Sequence, residues 1–161
     1  MTRGGVSGGG SGSGSSSASS IVRSALRAGG TFGYANPNVY VHDMMGLTDR
    51  HVTLHGTVYY RSIGKTDLAY TYDAVRPNLI LVHSGYNLLS RMVRASDGEY
   101  NDTYSTYSLS SPGMQSCSER PFVVSIRRDS VARILPAFAG FEPRPVTVPD
   151  FDDSRRWAIG Q

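Results

Sequence analysis

Residues 51–66, HVTLHGTVYYRSIGKT, carry the decision about the fold. Read with a period of two, Val52, Leu54, Val58 and Tyr60 share one face, and His51, Thr53, His55, Thr57 and Tyr59 the other, as in a half-buried strand. Read with a helical period, His51 and His55 share a face and could ligate one metal ion. The alternation and β-branched content favour the strand, where residues four apart lie about 13 Å apart at about 3.3 Å per residue, too far for one ion. The general-base Glu of the His-Glu-x-x-His zinc motif is also missing, since Val52 holds its place. A second alternating run, LAYTYDAV at 68–75, puts Leu68, Tyr70, Tyr72 and Ala74 together, with Gly64 in the connection. Residues 51–75 are therefore expected to form a β-hairpin.

Outward from that hairpin, the chain divides by composition. Residues 4–20, GGVSGGGSGSGSSSASS, match a flexible linker that cannot offset its ordering entropy by burial. SSIVRSALRAGG follows, with Ser20 as N-cap and Gly29-Gly30 as stop, Ile21, Val22, Ala25 and Leu26 on one stripe and Arg23 and Arg27 on another. The spacing predicts a short basic amphipathic helix near 20–28 that forms only when docked. Residues 1–30 thus read as an arm, 31–140 as a β-rich body, and 141–161, with Pro143, Pro145 and Pro149, as an extended tail.

Within the body a short strand is expected at 39–42 after the Asn36-Pro37-Asn38 turn. Leu79 to Val82 fits either a buried strand or a helix start, and Leu88, Leu89, Met92 and Val93 form a helical stripe over 86–95 that closes at Ser96-Asp97-Gly98. EYNDTYSTYSLSS suits an exposed edge strand, and Phe122, Val124 and Ile126 alternate in another. The fold class is α+β and β-rich, an antiparallel sheet or small sandwich with one or two short helices behind a flexible Gly/Ser-rich arm. An eight-stranded jelly roll is the alternative, for which the chain is short.

Charge is distributed unevenly. Arg3, Arg23 and Arg27 precede the first carboxylate, Asp43; the 16 Lys and Arg less these three leave 13, equal to the 13 Asp and Glu. The formally neutral body is a poor polyanion footprint, and the excess positive charge sits in the arm. The acid-free start also fits an organelle transit peptide, although its glycine run precedes the amphipathic part. Cys117, the one cysteine, excludes an intramolecular disulfide, so a reducing intracellular compartment, cytoplasm or virion, is expected. No apolar run approaches the length of a transmembrane segment.

Motifs that resemble chemistry are incomplete. Gly64-Lys65-Thr66 ends like a phosphate-binding loop, but Tyr59 stands where the first glycine belongs. Gly5-Val6-Ser7-Gly8-Gly9 has nucleophile-elbow spacing inside the linker. Nothing local marks Cys117 as a nucleophile, and Asp150, Asp152 and Asp153 lack the interleaving of a cation loop. No catalytic residue, cofactor or metal ligand is assigned.

Candidate partner-binding residues are Arg23 and Arg27 in the arm and Arg155, Arg156 and Trp157 in the tail, because Trp and Arg are the types that anchor interfaces. The ten tyrosines suit subunit contacts, where one end of the ring is packed and the other wet. The expectation is a non-catalytic subunit of a larger assembly, on the pattern of a viral coat or matrix protein. It would form homo-oligomers and contact ribonucleoprotein, or a membrane surface peripherally, through its arm. An RNA-binding module using Arg23 and Arg27, or a subunit of an organellar or cytoskeletal complex, is the alternative.

Overall fold

The computed structural model describes residues 22–26, 29–58, 64–82, 87–110 and 122–148. They form a mixed α+β unit built on a six-stranded, mostly antiparallel sheet with a few short helices. Strands β1 (Val22–Leu26), β2 (Val39–Asp43), β5 (Leu79–Val82), β6 (Tyr104–Leu109), β7 (Phe122–Arg127) and β8 (Arg144–Val146) lie in the order β2-β1-β5-β7-β6-β8. β1 runs parallel to both neighbours, and the remaining pairings are antiparallel. β3 (Thr57–Val58) and β4 (Lys65–Thr66) make a separate antiparallel ribbon. The helices are α1 (Gly29–Ala35), α2 (Arg50–His55), α3 (Leu68–Tyr70), which runs on into one π turn (Thr71–Val75), α4 (Asn87–Ala95), α5 (Tyr100–Thr103) and α6 (Val131–Ile134).

Strands at 39–42 and 122–126 and the helix over 86–95 form as their periodicity predicts, and Leu79–Val82 resolves to a strand. Three expectations are corrected. The helix near 20–28 is instead β1 over its described part: Val22, Ala25 and Leu26 do satisfy helical spacing, but so short a run cannot separate the two periods. β1 lies inside the sheet with Ser24, Ala25 and Leu26 all buried, and a strand covered on both faces shows no alternation.

The hairpin expected over 51–75 is replaced by α2, α3 and the π turn, with only the short β3–β4 ribbon between. Caps override the alternation. Asp49 accepts from the Val52 N–H (3.0 Å) and Asp67 from the Tyr70 N–H (2.9 Å), each satisfying an orphan donor of a first turn. Gly56 then ends α2 with its own N–H on the Val52 carbonyl. The Tyr-rich strand expected at an edge is β6, which pairs on both sides; the edge falls to three-residue β8, blunted by Pro145.

Apolar side chains pack on both faces of the sheet. On one, Ala25, Ile80, Val82, Val123 and Tyr104 meet Leu88, Leu89, Met92 and Val93 of α4, with Met44, Leu68 and Tyr100. On the other, Leu79, Leu109, Val124 and Ile126 meet Ile134, with Val131 and Phe138 alongside. Each such large side chain contributes roughly 1.5–3 kcal/mol by leaving water. Tyr100 and Tyr104 stack with ring centroids 4.9 Å apart, so two of the tyrosines expected at subunit contacts are core residues.

α4 stops in a hydrogen-bonded turn in which the Asp97 N–H reaches the Arg94 carbonyl and the Gly98 N–H reaches the Val93 carbonyl. Both residues are left-handed, Asp97 at φ 50° and Gly98 at φ 89°, the arrangement of a Schellman end.

Candidate functional site

Strand pairing builds one polar row across four strands. Arg23 of β1 lies opposite Tyr40 of β2. Asn78, directly before β5, continues the row: its N–H donates to the Arg23 carbonyl (2.7 Å), and its side-chain oxygen accepts from the Arg23 N–H (3.0 Å). The Arg127 N–H donates in turn to the Asn78 carbonyl (2.9 Å). Residues opposite one another in a sheet project to the same face, so Tyr40, Arg23, Asn78 and Arg127 share one side. This row floors an open cleft of about 1110 Å³, completed by Tyr70, Ala74, Val75, Asp129, Ser130 and Arg133.

Hydrogen bonds fix the floor. Asn78 is buried, and its amide donates to Ser130 Oγ (2.9 Å), which donates to Asp129 Oδ1 (2.7 Å). Arg127 Nε donates to both Asp129 oxygens (2.9 and 3.0 Å), and this guanidinium, with Ser130, holds the Asp129 carboxyl below its ordinary range. The π turn ends against two arginines: Arg23 donates to the Val75 carbonyl (3.3 Å) and Arg127 to the Arg76 carbonyl (2.8 Å). Cations suit this end, where the last carbonyls of a helix lack partners. The contact with Val75 engages one of the five N–H donors of the Arg23 guanidinium.

Behind the cleft wall lies a second polar network. The His42 ring is fully buried, with Nδ1 2.9 Å from Asp49 Oδ2 and Nε2 2.9 Å from Thr71 Oγ1. Burial foremost pulls the ring below its ordinary pKa, against the opposing pull of Asp49. In the neutral ring Nδ1–H donates to Asp49, and the single Thr71 hydroxyl proton is shared between Nε2 and the Asp67 carbonyl, 2.8 Å away. Burial raises the Asp49 carboxyl, but the Val52 N–H and His42 outweigh it, so the net shift is downward.

Asp49, His42 and Thr71 thus stand in the order of an acid, base and hydroxyl nucleophile. Thr71 is shut from solvent, so no acyl or phosphoryl group reaches its hydroxyl; the network ties β2 to α2 and the π turn. Tyr70 links the two regions, lining the cleft while its ring stacks on His51 at 3.7 Å. Its hydroxyl is held protonated, chiefly by burial and then by the charge of Asp49.

His51 and His55 do share a helix face, with ring centroids 4.9 Å apart, which overturns the strand argument that separated them. His51 is engaged by Asp67 (Nε2 to Oδ2, 3.1 Å), and among the described residues no group of three or more His, Cys, Asp or Glu converges on a point. Lys65 donates to the Thr53 carbonyl (2.8 Å) rather than closing a phosphate loop.

Of the residues singled out by sequence, Arg23 lies in the cleft floor, exposed, on a sheet strand instead of an arm helix. Arg27, Arg155, Arg156, Trp157 and Cys117 lie outside the described residues. Sequence reasoning missed Tyr40, Tyr70, Arg127 and Arg133. Strand register brings Tyr40 and Arg127, 17 and 104 residues from Arg23, into its row, and the packing of α3 and α6 adds Tyr70 and Arg133; no local pattern encodes either. Among the described residues no helix is long and apolar enough to cross a membrane. No protein-family model, curated protein or solved structure matches the chain.

Proposed function

We propose that the chain is a non-catalytic subunit of a larger assembly, of the kind that builds a viral coat or matrix, and that it associates with copies of itself. The observation that carries this reading is a cluster of exposed apolar side chains on one short segment, Leu47 at 82 %, Leu54 at 59 % and Val58 at 59 % exposure. Single exposed apolar residues are ordinary, but three within a dozen residues make a patch of the kind that marks contact surfaces. The patch is held in shape, since Thr53 donates to the Gly46 carbonyl and Lys65 to the Thr53 carbonyl. It directly follows β2, an edge strand of the six-stranded sheet, whose opposite edge carries Pro145. Proline removes a ladder donor, so β2 is the better template for adding a neighbour.

Light scattering coupled to size exclusion, on nuclease-treated full-length protein, tests the reading. Oligomers are expected that dissociate when Leu47 and Leu54 are replaced together by Asp, with the far-UV circular dichroism unchanged. A wild-type monomer at every concentration and ionic strength overturns it.

A further inference from the structure

The arginine cleft is distinct from the apolar patch, and we propose that it binds a nucleotide unit, the phosphate between Arg23 and Arg127 and the base against Tyr40. Three arginines, Arg23, Arg127 and Arg133, line it against one carboxylate, Asp129, which Arg127 already engages. Residues 43–161 are formally neutral, yet strand pairing sets Arg23, from the basic N-terminal segment, in one row with Arg127, with Arg133 lining the same cleft, and the fork of a guanidinium matches the oxygens of a phosphate. Tyr40 is half exposed and sits one strand from Arg23, about 4.8 Å across the sheet. A cation and an aromatic face at that spacing are the two elements by which proteins hold single-stranded nucleic acid.

Rigidity supports a binding role. The side chain of Asn78 spans the Arg23 backbone and Ser130, and two carbonyls at the end of the π turn each accept from one Nη1 of the Arg23 and Arg127 guanidinium groups, so the cleft is organised before a ligand arrives. Its volume, about 1110 Å³, exceeds a usual small-molecule pocket and it is open, which suits a ligand that continues past the site. The shared chemistry is a phosphate beside a base, supplied either by a free mononucleotide or by one residue of a single strand.

Fluorescence anisotropy with a labelled ten-nucleotide oligouridylate RNA, and competition by uridine monophosphate, measure binding by the full chain. Tyr40→Ala is expected to weaken binding about tenfold. Arg23→Ala is expected to weaken it and to lower the slope of log affinity against log salt by about 0.7, the value for one phosphate contact on a single strand. Arg23→Lys keeps the charge but loses the fork, and together with Tyr40→Ala it preserves the test if Arg23→Ala does not fold. Competition by the mononucleotide supports a free nucleotide as ligand, and binding of the oligomer alone supports a single strand. Absence of binding by either probe, or binding that folded Tyr40→Ala and Arg23→Lys leave unchanged, overturns the proposal.

Discussion

Replacing Asp49 by Ala should destabilise the fold by about 2–4 kcal/mol, and replacing it by Asn by less than about 1 kcal/mol. The difference follows from two bonds made by one carboxylate. Oδ1 caps α2 through the Val52 N–H, and Oδ2 receives the buried His42 ring. Loss of an N-cap costs roughly 0.5–2 kcal/mol, and leaving a buried ring N–H without a partner costs roughly 1–3 kcal/mol. Alanine removes both bonds. Asparagine is an equally good cap, and its amide N–H can donate to Nδ1 of the other neutral tautomer. Nε2–H then donates to Thr71, whose hydroxyl is released to the Asp67 carbonyl, and every group in the chain His42–Thr71–Asp67 is satisfied. Thermal melting followed by far-UV circular dichroism measures the two variants, with the alanine midpoint falling by about 8–16 °C at about 4 °C per kcal/mol. Equal midpoints for the two variants, or an alanine cost below about 1 kcal/mol, would refute the network.

Two further outcomes follow from the same geometry and from the end of α4. Because the folded-state pKa of His42 lies below its ordinary 6.5, chiefly through burial, the unfolded chain takes up the proton first as the pH falls. Its contribution to stability is therefore complete above about pH 6.5 and is lost as the pH falls below that value, with Asp49 adding a further loss below about pH 4. The urea midpoint should fall between pH 7.5 and 5.5 and the His42 part of that fall should vanish in His42→Gln; an unchanged wild-type midpoint would contradict the burial argument. Asp97→Gly should stabilise the fold by about 0.5–1 kcal/mol, since relief of left-handed strain of about 1–2 kcal/mol outweighs the added unfolded-state freedom of glycine. Gly98→Ala should do the opposite despite open space around its Cα, and thermal melting of both variants checks the pair.

The signals for α2 and α3 were present in the sequence, as Asp49 and Asp67 three residues before Val52 and Tyr70, with Gly56 as a stop. A six-residue helix carries too few apolar positions for its period to show, and Val52 and Leu54 alternate by coincidence. Caps were the better guide there because they act on specific backbone donors and need no length. The His42 network was less legible. It joins Asp49, His42 and Thr71 across separations of 7 and 29 residues, and its histidine looks in sequence like any strand residue.

Residue types alone determined the α+β class, the positions of β2, β7 and α4, and the confinement of excess positive charge to the first 42 residues, while leaving Leu79–Val82 open between strand and helix. Each rests on local periodicity or on counting, which the chain carries at every length. Tertiary structure alone decided that Val22–Leu26 is an interior strand, that β6 is not an edge, and that Arg23, Tyr40, Asn78 and Arg127 form one row. The reason is register: a strand's neighbours, its burial on both faces and the partners opposite its side chains come from pairings between distant segments, and a one-residue slip of any one strand would send its member of the row to the other face.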